Sequence, residues 1–245
     1  FKVHGIIFCT VLSILAGGII NQFYDREKDQ LTKPFRTKIQ NFLKQKYFLY
    51  AYLILVAISL TTAFLISPRV FYFFLVYQFF MWFYSHKLSK ILIINNITFV
   101  SLTLYPFFGM MVYYHTFSGK VFLMAVFLFL MLLVMDILKD ILTKNADKIF
   151  GYTTIPNTFG TRNAVNVVVA LSVLLFTVSM LIISNTGIHS ILPLYFAAGL
   201  FVIILSVYLL LSSVKKSNFI VLNILRIWVF VGIIAMLLDG IIERF

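Results

Sequence analysis

Long apolar runs separated by polar breaks dominate this chain. The runs fall at about 4–21, 47–67, 70–85, 92–115, 119–139, 163–184, 190–212 and 218–240. Most have the roughly 17–25 residues that a helix needs to cross a hydrocarbon core of ~30 Å. The run at 70–85 is shorter and markedly aromatic, with Phe71, Phe73, Phe74, Phe79, Phe80 and Trp82 among its residues. Lipid admits only helices or closed barrels, and continuous apolar runs lack the alternation of a barrel strand. The pattern predicts an all-α polytopic membrane helical bundle, with eight spans in a single domain over 1–245.

The polar breaks are uneven. Those on one side of the predicted membrane are short turns, whereas two on the other side, 22–46 and 140–162, run past 20 residues and carry acidic clusters. Long loops in a compact protein usually serve function. In the first, Asn21, Asp25 and Asp29 recur every four residues. A helix continuing past the apolar run places all three on one face, one turn apart. Two carboxylates so spaced suit Mg²⁺, which takes one or two protein carboxylates and fills its other sites with water or phosphate. Lys33 and Arg36 follow within two turns, where they can reach outer phosphate oxygens. The plainer alternative is a solvated face with i,i+4 ion pairs.

The second cluster follows the run at 119–139. Asp140 and Asp147 are seven residues apart and share a helix face, and Asp136 lies one turn earlier. A carboxylate at the end of a membrane span is costly unless it meets water or a partner, so it points to function. The alternative is pairing with Lys139 or Lys144. Two acidic clusters on one membrane side, each beside lysine or arginine, suit a diphosphate held by bridging Mg²⁺, which neutralises the leaving group.

Composition and charge refine this picture. The 245 residues are 62% hydrophobic and only 11% charged, far below the share in soluble domains. A net charge of +12 would suggest nucleic acid in a soluble protein. Here most of the 20 lysines and arginines lie in loops on the side that carries both acidic clusters. The positive-inside rule puts that side in the cytoplasm, and no nucleic-acid partner is expected. The expected location is a bacterial inner membrane, with the active site facing the cytoplasm. The single cysteine, Cys9, excludes an intrachain disulfide and a cysteine-based metal site. The run at 4–21 does not read as a signal peptide, because no small-residue cleavage site follows it. Beginning at Phe1 rather than Met, the chain reads as truncated or processed. Arg226, inside the last run, is expected to avoid lipid and either pair with a carboxylate or reach substrate. Asp239 lies near the end of the same run.

These motifs resemble the UbiA superfamily of intramembrane prenyltransferases. The family's N-D-x-x-D-x-x-x-D motif appears as Asn21-Gln22-x-x-Asp25-x-x-x-Asp29, and its D-x-x-D-x-x-x-D motif as Asp140-x-x-Thr143-x-x-x-Asp147. Gly151, Thr154 and Gly160 fit the continuation of the second motif. Lys33-Pro34-x-Arg36 resembles the family's basic stretch after the first motif, and Tyr84-Ser85-x-Lys87-Leu88-x-Lys90 its Tyr/Lys segment. The resemblance implies a nine-helix bundle, and so a first helix missing from this chain. It further implies Mg²⁺-dependent transfer of a prenyl group from an isoprenyl diphosphate to a lipophilic acceptor, either aromatic, as in quinone biosynthesis, or a lipid. Asp25, Asp29, Asp140 and Asp147 are the implied metal ligands and catalytic residues. Asn21, Lys33, Arg36, Tyr84, Lys87 and Lys90 are the implied substrate contacts. Gln22 and Thr143 stand where the family has acids, with Asp136 as a candidate substitute. A divergent, non-catalytic binder of prenyl lipids is therefore the second reading, and a transporter the third.

Overall fold

A computed structural model describes residues 2–35, 44–185, 190–212 and 214–242. Among them, every expected span is a helix. The helices are α1 (Lys2–Tyr24), α2 (Arg26–Thr32), α3 (Gln45–Ile66), α4 (Pro68–His86), α5 (Ile94–Tyr114), α6 (Gly119–Ile149), α7 (Ile155–Thr158), α8 (Thr161–Asn185), α9 (Leu192–Leu211) and α10 (Ser217–Ile242). A 3-10 turn at Leu88–Lys90 lies between α4 and α5. Seven of these helices, α1, α3, α5, α6, α8, α9 and α10, are long and apolar enough to cross a membrane. The protein is therefore an all-α, multi-pass membrane protein. The sequence led us to expect eight spans. The one that falls short is α4, whose Arg69, Tyr72, Tyr77, Gln78 and Tyr84 dilute its phenylalanines.

The chain divides into two compact units. The first comprises Phe1–Tyr114 and Asn145–Thr154, and the second His115–Lys144 and Ile155–Phe245. In the first, α1 packs on α3 and α4, and α4 on α5. Ile6, Cys9, Ala63, Val70, Phe74, Tyr77 and Leu102 form its core. Small residues let the backbones approach, as is general where lipid supplies no hydrophobic drive between helices. A methyl group at Gly17 would collide with Met81. Ser13 and Ser59 meet across α1 and α3 at 3.1 Å, and Ser59 also donates to the Cys9 carbonyl at 3.2 Å.

In the second unit α9 packs on α8 and α10. Tyr195 stacks on Trp228 with ring centroids 4.8 Å apart. Phe196 meets Phe127 edge-on at 5.0 Å. Asp239 on α10 accepts hydrogen bonds from the Ser190 hydroxyl and the Ile191 N–H, both at 2.8 Å, at the start of α9. Arg226 on α10 is exposed, and its Nη1 donates to Asn223 Oδ1 at 3.4 Å, an amide one turn away. A helix that is apolar almost all round gives no pattern from which to read which way one arginine points.

Candidate functional site

The first acidic motif is built at the junction of α1 and α2. The helix bends at Asp25 (φ −91°, ψ 9°), yet the four-residue rhythm survives. Asp25 N–H donates to the Asn21 carbonyl, Asp29 N–H to that of Asp25, and Lys33 N–H to that of Asp29, each at 2.8 Å. Asn21, Asp25 and Asp29 thus stand one turn apart, as their spacing predicts. Lys33 leaves the helix with φ −139° and ψ 59°, outside the α region that the following Pro34 disfavours.

The side chains here are paired. Asn21 Nδ2 donates to Asp25 Oδ2 at 3.0 Å. Lys33 Nζ reaches Asp29 Oδ1 at 2.9 Å, and Asp29 is buried. Lys33 therefore holds a carboxylate of its own motif. Arg36 lies outside the described residues.

The second motif rides on α6, which runs unbroken through Asp136, Asp140 and Asp147. Its 31 residues span about 46 Å, longer than a hydrocarbon core of ~30 Å. All three aspartates are buried. Asp136 pairs with Lys139 at 3.2 Å, which fits a local ion pair better than a substitute metal ligand. The Thr143 hydroxyl donates to the Lys139 carbonyl at 3.1 Å, so the uncharged member of the motif is tied to its own helix.

The end of α6 explains how the two motifs are joined. Gly151 has φ +72°, a left-handed conformation that glycine adopts without penalty. Tyr152 N–H then donates to the Asp147 carbonyl at 2.8 Å, and Gly151 N–H points to that of Lys148 at 3.5 Å. This is the Schellman pattern that satisfies terminal helix carbonyls. It turns Tyr152 back, and its hydroxyl donates to Asp25 Oδ1. Lys28 Nζ sits 2.6 Å from Asp147 Oδ1 and 3.9 Å from the centre of the Tyr152 ring. A circuit from Asp25 through Tyr152 and Lys28 to Asp147 therefore links the start and end of the first unit. Burial, first, then the charge of Asp25, its hydrogen bond and the charge of Asp147 hold the Tyr152 phenol far above its ordinary pKa. It remains a hydrogen-bond donor.

The Tyr/Lys segment approaches the same circuit. Lys90 Nζ is 5.3 Å from the centre of the Tyr152 ring. The Lys90 carbonyl accepts hydrogen bonds from the Thr153 N–H, at 3.2 Å, and from its hydroxyl. Tyr84 is half-buried on α4 and adds to the upward shift of the Tyr152 pKa. Lys87, where α4 ends, is exposed. The residues of this circuit that the sequence reading did not single out are Lys28 and Tyr152. Their available signal was position: one within the first motif, the other directly after Gly151.

Among the described residues, no three of His, Cys, Asp and Glu converge as a metal cage. Mg²⁺ does not need one, since one or two carboxylates and substrate phosphates serve it. Asp25 and Asp29, hard oxygen donors one turn apart, fit that requirement.

The model of the UbiA prenyltransferase family matches residues 1–233. The chain belongs to this family. It is 28% identical to the digeranylgeranylglyceryl phosphate synthase of Thermococcus gammatolerans over 225 residues, which is 89% of this chain and 78% of that one. A solved structure of digeranylgeranylglyceryl phosphate synthase has the same fold, with TM-score 0.73 and 22% identity over 98% of this chain and 86% of that one. A UbiA homologue from Archaeoglobus fulgidus, bound to GPP and Mg²⁺, aligns with TM-score 0.67 at 14% identity, covering 96% and 87%. The Thermococcus and Archaeoglobus relatives are archaeal, and the synthases are named for a lipid phosphate. They lend no support to the quinone pathway or the bacterial inner membrane expected from the sequence.

Proposed function

We propose that this chain transfers a prenyl group from an isoprenyl diphosphate to a lipophilic acceptor, with release of diphosphate. Asp25 and Asp29, one turn apart, offer one carboxylate pair to Mg²⁺, and Asp140 and Asp147 on α6 offer further carboxylates. When bound, Mg²⁺ neutralises charge on the departing diphosphate. Asn21 holds Asp25 in place through its amide. Lys33, Arg36, Lys87 and Lys90 contact the phosphates, with Tyr84 beside them. The C–O bond of the allylic diphosphate breaks, and an acceptor oxygen or carbon bonds to the allylic carbon and loses its proton. The observation that carries this reading is the circuit of Asp25, Tyr152, Lys28 and Asp147. It brings a residue of each acidic motif into one polar cluster.

The relatives' name favours a particular acceptor. A synthase of digeranylgeranylglyceryl phosphate makes a lipid with two geranylgeranyl groups. On this reading the donor is geranylgeranyl diphosphate, and the acceptor a glyceryl phosphate that already carries one such group. The excess of basic residues in the motif-bearing loops favours a site at the cytoplasmic face.

The test is release of diphosphate by the protein in lipid, with geranyl, farnesyl or geranylgeranyl diphosphate and a geranylgeranylglyceryl phosphate acceptor. Expected is Mg²⁺-dependent release that is lost in Asp25→Ala and in Asp140→Ala. Release that survives both substitutions means that the metal ligands lie elsewhere. No release with any donor, lipid acceptor or quinone precursor favours a non-catalytic prenyl-lipid binder.

A further inference from the structure

Asp147 is fully buried, and the charge beside it comes from a lysine of the other motif. Lys28 is itself largely enclosed, its side chain 15% exposed. Its ammonium lies 2.6 Å from Asp147 Oδ1 and 3.9 Å from the centre of the Tyr152 ring. An ammonium placed between a carboxylate and an aromatic face satisfies both, and does so more strongly away from water. It neutralises the Asp147 carboxylate and places a like charge where a divalent ion would approach it. Gln22 and Thr143 bring no charge to the motifs, which leaves less negative charge to hold Lys28 and a metal ion together.

We propose that Lys28 is a resident cation of the site, holding Asp147 in the metal-free protein and competing with the divalent ion for it. This rests on the metal–diphosphate reading above. A divalent ion must displace Lys28 from Asp147 or bind without that carboxylate. Either way, this chain binds divalent ions more weakly than its aspartates alone would. The freed ammonium, with three donor protons, is then available to a diphosphate oxygen.

The experiment uses Mn²⁺ as a spectroscopic probe on the whole chain in detergent, without diphosphate. Binding is read by electron paramagnetic resonance and by the rise in unfolding temperature that a native-state ligand produces. Lys28→Met is expected to bind Mn²⁺ at least about tenfold more tightly than the parent, with a larger thermal shift, and Lys28→Arg, which keeps the positive charge beside Asp147, to stay nearer the parent than to Lys28→Met. In Lys28→Met/Asp147→Asn the gain disappears. Lys28→Gln supports the same comparison should the methionine variant fail to fold. Equal or weaker Mn²⁺ binding by the neutral variants overturns the role of Lys28 and leaves the metal–diphosphate reading standing. Mn²⁺ that binds neither parent nor variant, even with inorganic diphosphate present, overturns both.

Discussion

Asp147 and Asp239 each stand near the end of a long apolar helix, and both are almost entirely buried, at 0% and 4% exposure. Their partners differ. Asp239 accepts from a backbone N–H and a serine hydroxyl at the first residues of α9, and the same Ser190 oxygen accepts from Leu192 N–H at 3.2 Å. A helix start leaves N–H groups without intrahelical partners and carries a partial positive charge, so this carboxylate completes a helix. Its partners are a backbone N–H and the short hydroxyl beside it, neutral groups held next to the helix start rather than a mobile charge. Asp147 instead faces Lys28, a cation on a flexible stem, and Tyr152 beyond it. Such partners can be traded for a metal ion or a phosphate while the helix stays intact. Burial alone does not separate a structural acid from a chemical one; the exchangeability of its partners does.

The sharpest way to break that comparison is to neutralise each acid in turn. Asp147→Asn is expected to lower the rate of diphosphate release on the order of 10²–10³-fold, the scale of losing a group that stabilises developing charge. Asp239→Asn is expected to leave the rate per folded molecule within about twofold and to destabilise by about 1–3 kcal/mol, the cost of disturbing a buried hydrogen-bonded group. Diphosphate release and thermal unfolding, measured on both variants, decide the matter. Loss of activity in Asp239→Asn at unchanged stability would erase the distinction.

The contrast between these two acids was not legible in the sequence, where each is an aspartate at the end of an apolar run. What was legible follows from local periodicity. The four-residue rhythm of Asn21, Asp25 and Asp29, and the two-turn spacing of Asp140 and Asp147, are fixed by helix geometry, and the structure keeps both. All the expected spans appear as helices because run length and apolarity are also local properties. The Tyr152–Asp25 bond joins residues 127 positions apart, and no periodicity reports that distance. Lys28 looked like one more basic loop residue, because its partner lies on another helix.

Tyr152 tests the exchangeable side of the comparison with a smaller effect. Tyr152→Phe keeps the ring beneath Lys28 and removes only the donor to Asp25. A hydrogen bond to a charged acceptor contributes about 1.5–3 kcal/mol, and a loss of that order in unfolding free energy is expected. The pH dependence gives an independent reading. Burial and the charge of Asp25 raise the pKa of this phenol in the folded protein. Its stabilisation is therefore fully present below the ordinary tyrosine value of about 10 and is lost as pH rises toward the folded value. Unfolding temperatures of parent and variant should differ by a constant amount up to about pH 9 and converge above about pH 10. A difference that instead grows with pH would mean that the phenol ionises more readily in the folded state, contrary to its placement on a carboxylate.

The smallest expected effect concerns how the two regions are built. The Asp239 region is an ordinary helix start, whereas the segment that carries Lys90 to Thr153 ends in a strained turn. Ile93 has φ +65°, and Ile94 N–H closes onto the Leu92 carbonyl at 2.7 Å, the three-residue turn that is rare because of its strain. A β-branched residue pays about 1–2 kcal/mol for left-handed backbone, and glycine offsets part of the relief through its greater freedom in the unfolded chain. Ile93→Gly is therefore expected to stabilise by about 0.5–1 kcal/mol. The Ile93 side chain is 46% exposed, so little packing is lost. If the strain serves to hold Lys90 against Tyr152, the same variant should raise the KM for the prenyl diphosphate while kcat stays close to the parent's. Stabilisation with unchanged KM would make the turn a feature of the loop alone. Destabilisation would show that Ile93 is held there by packing stronger than its exposure suggests.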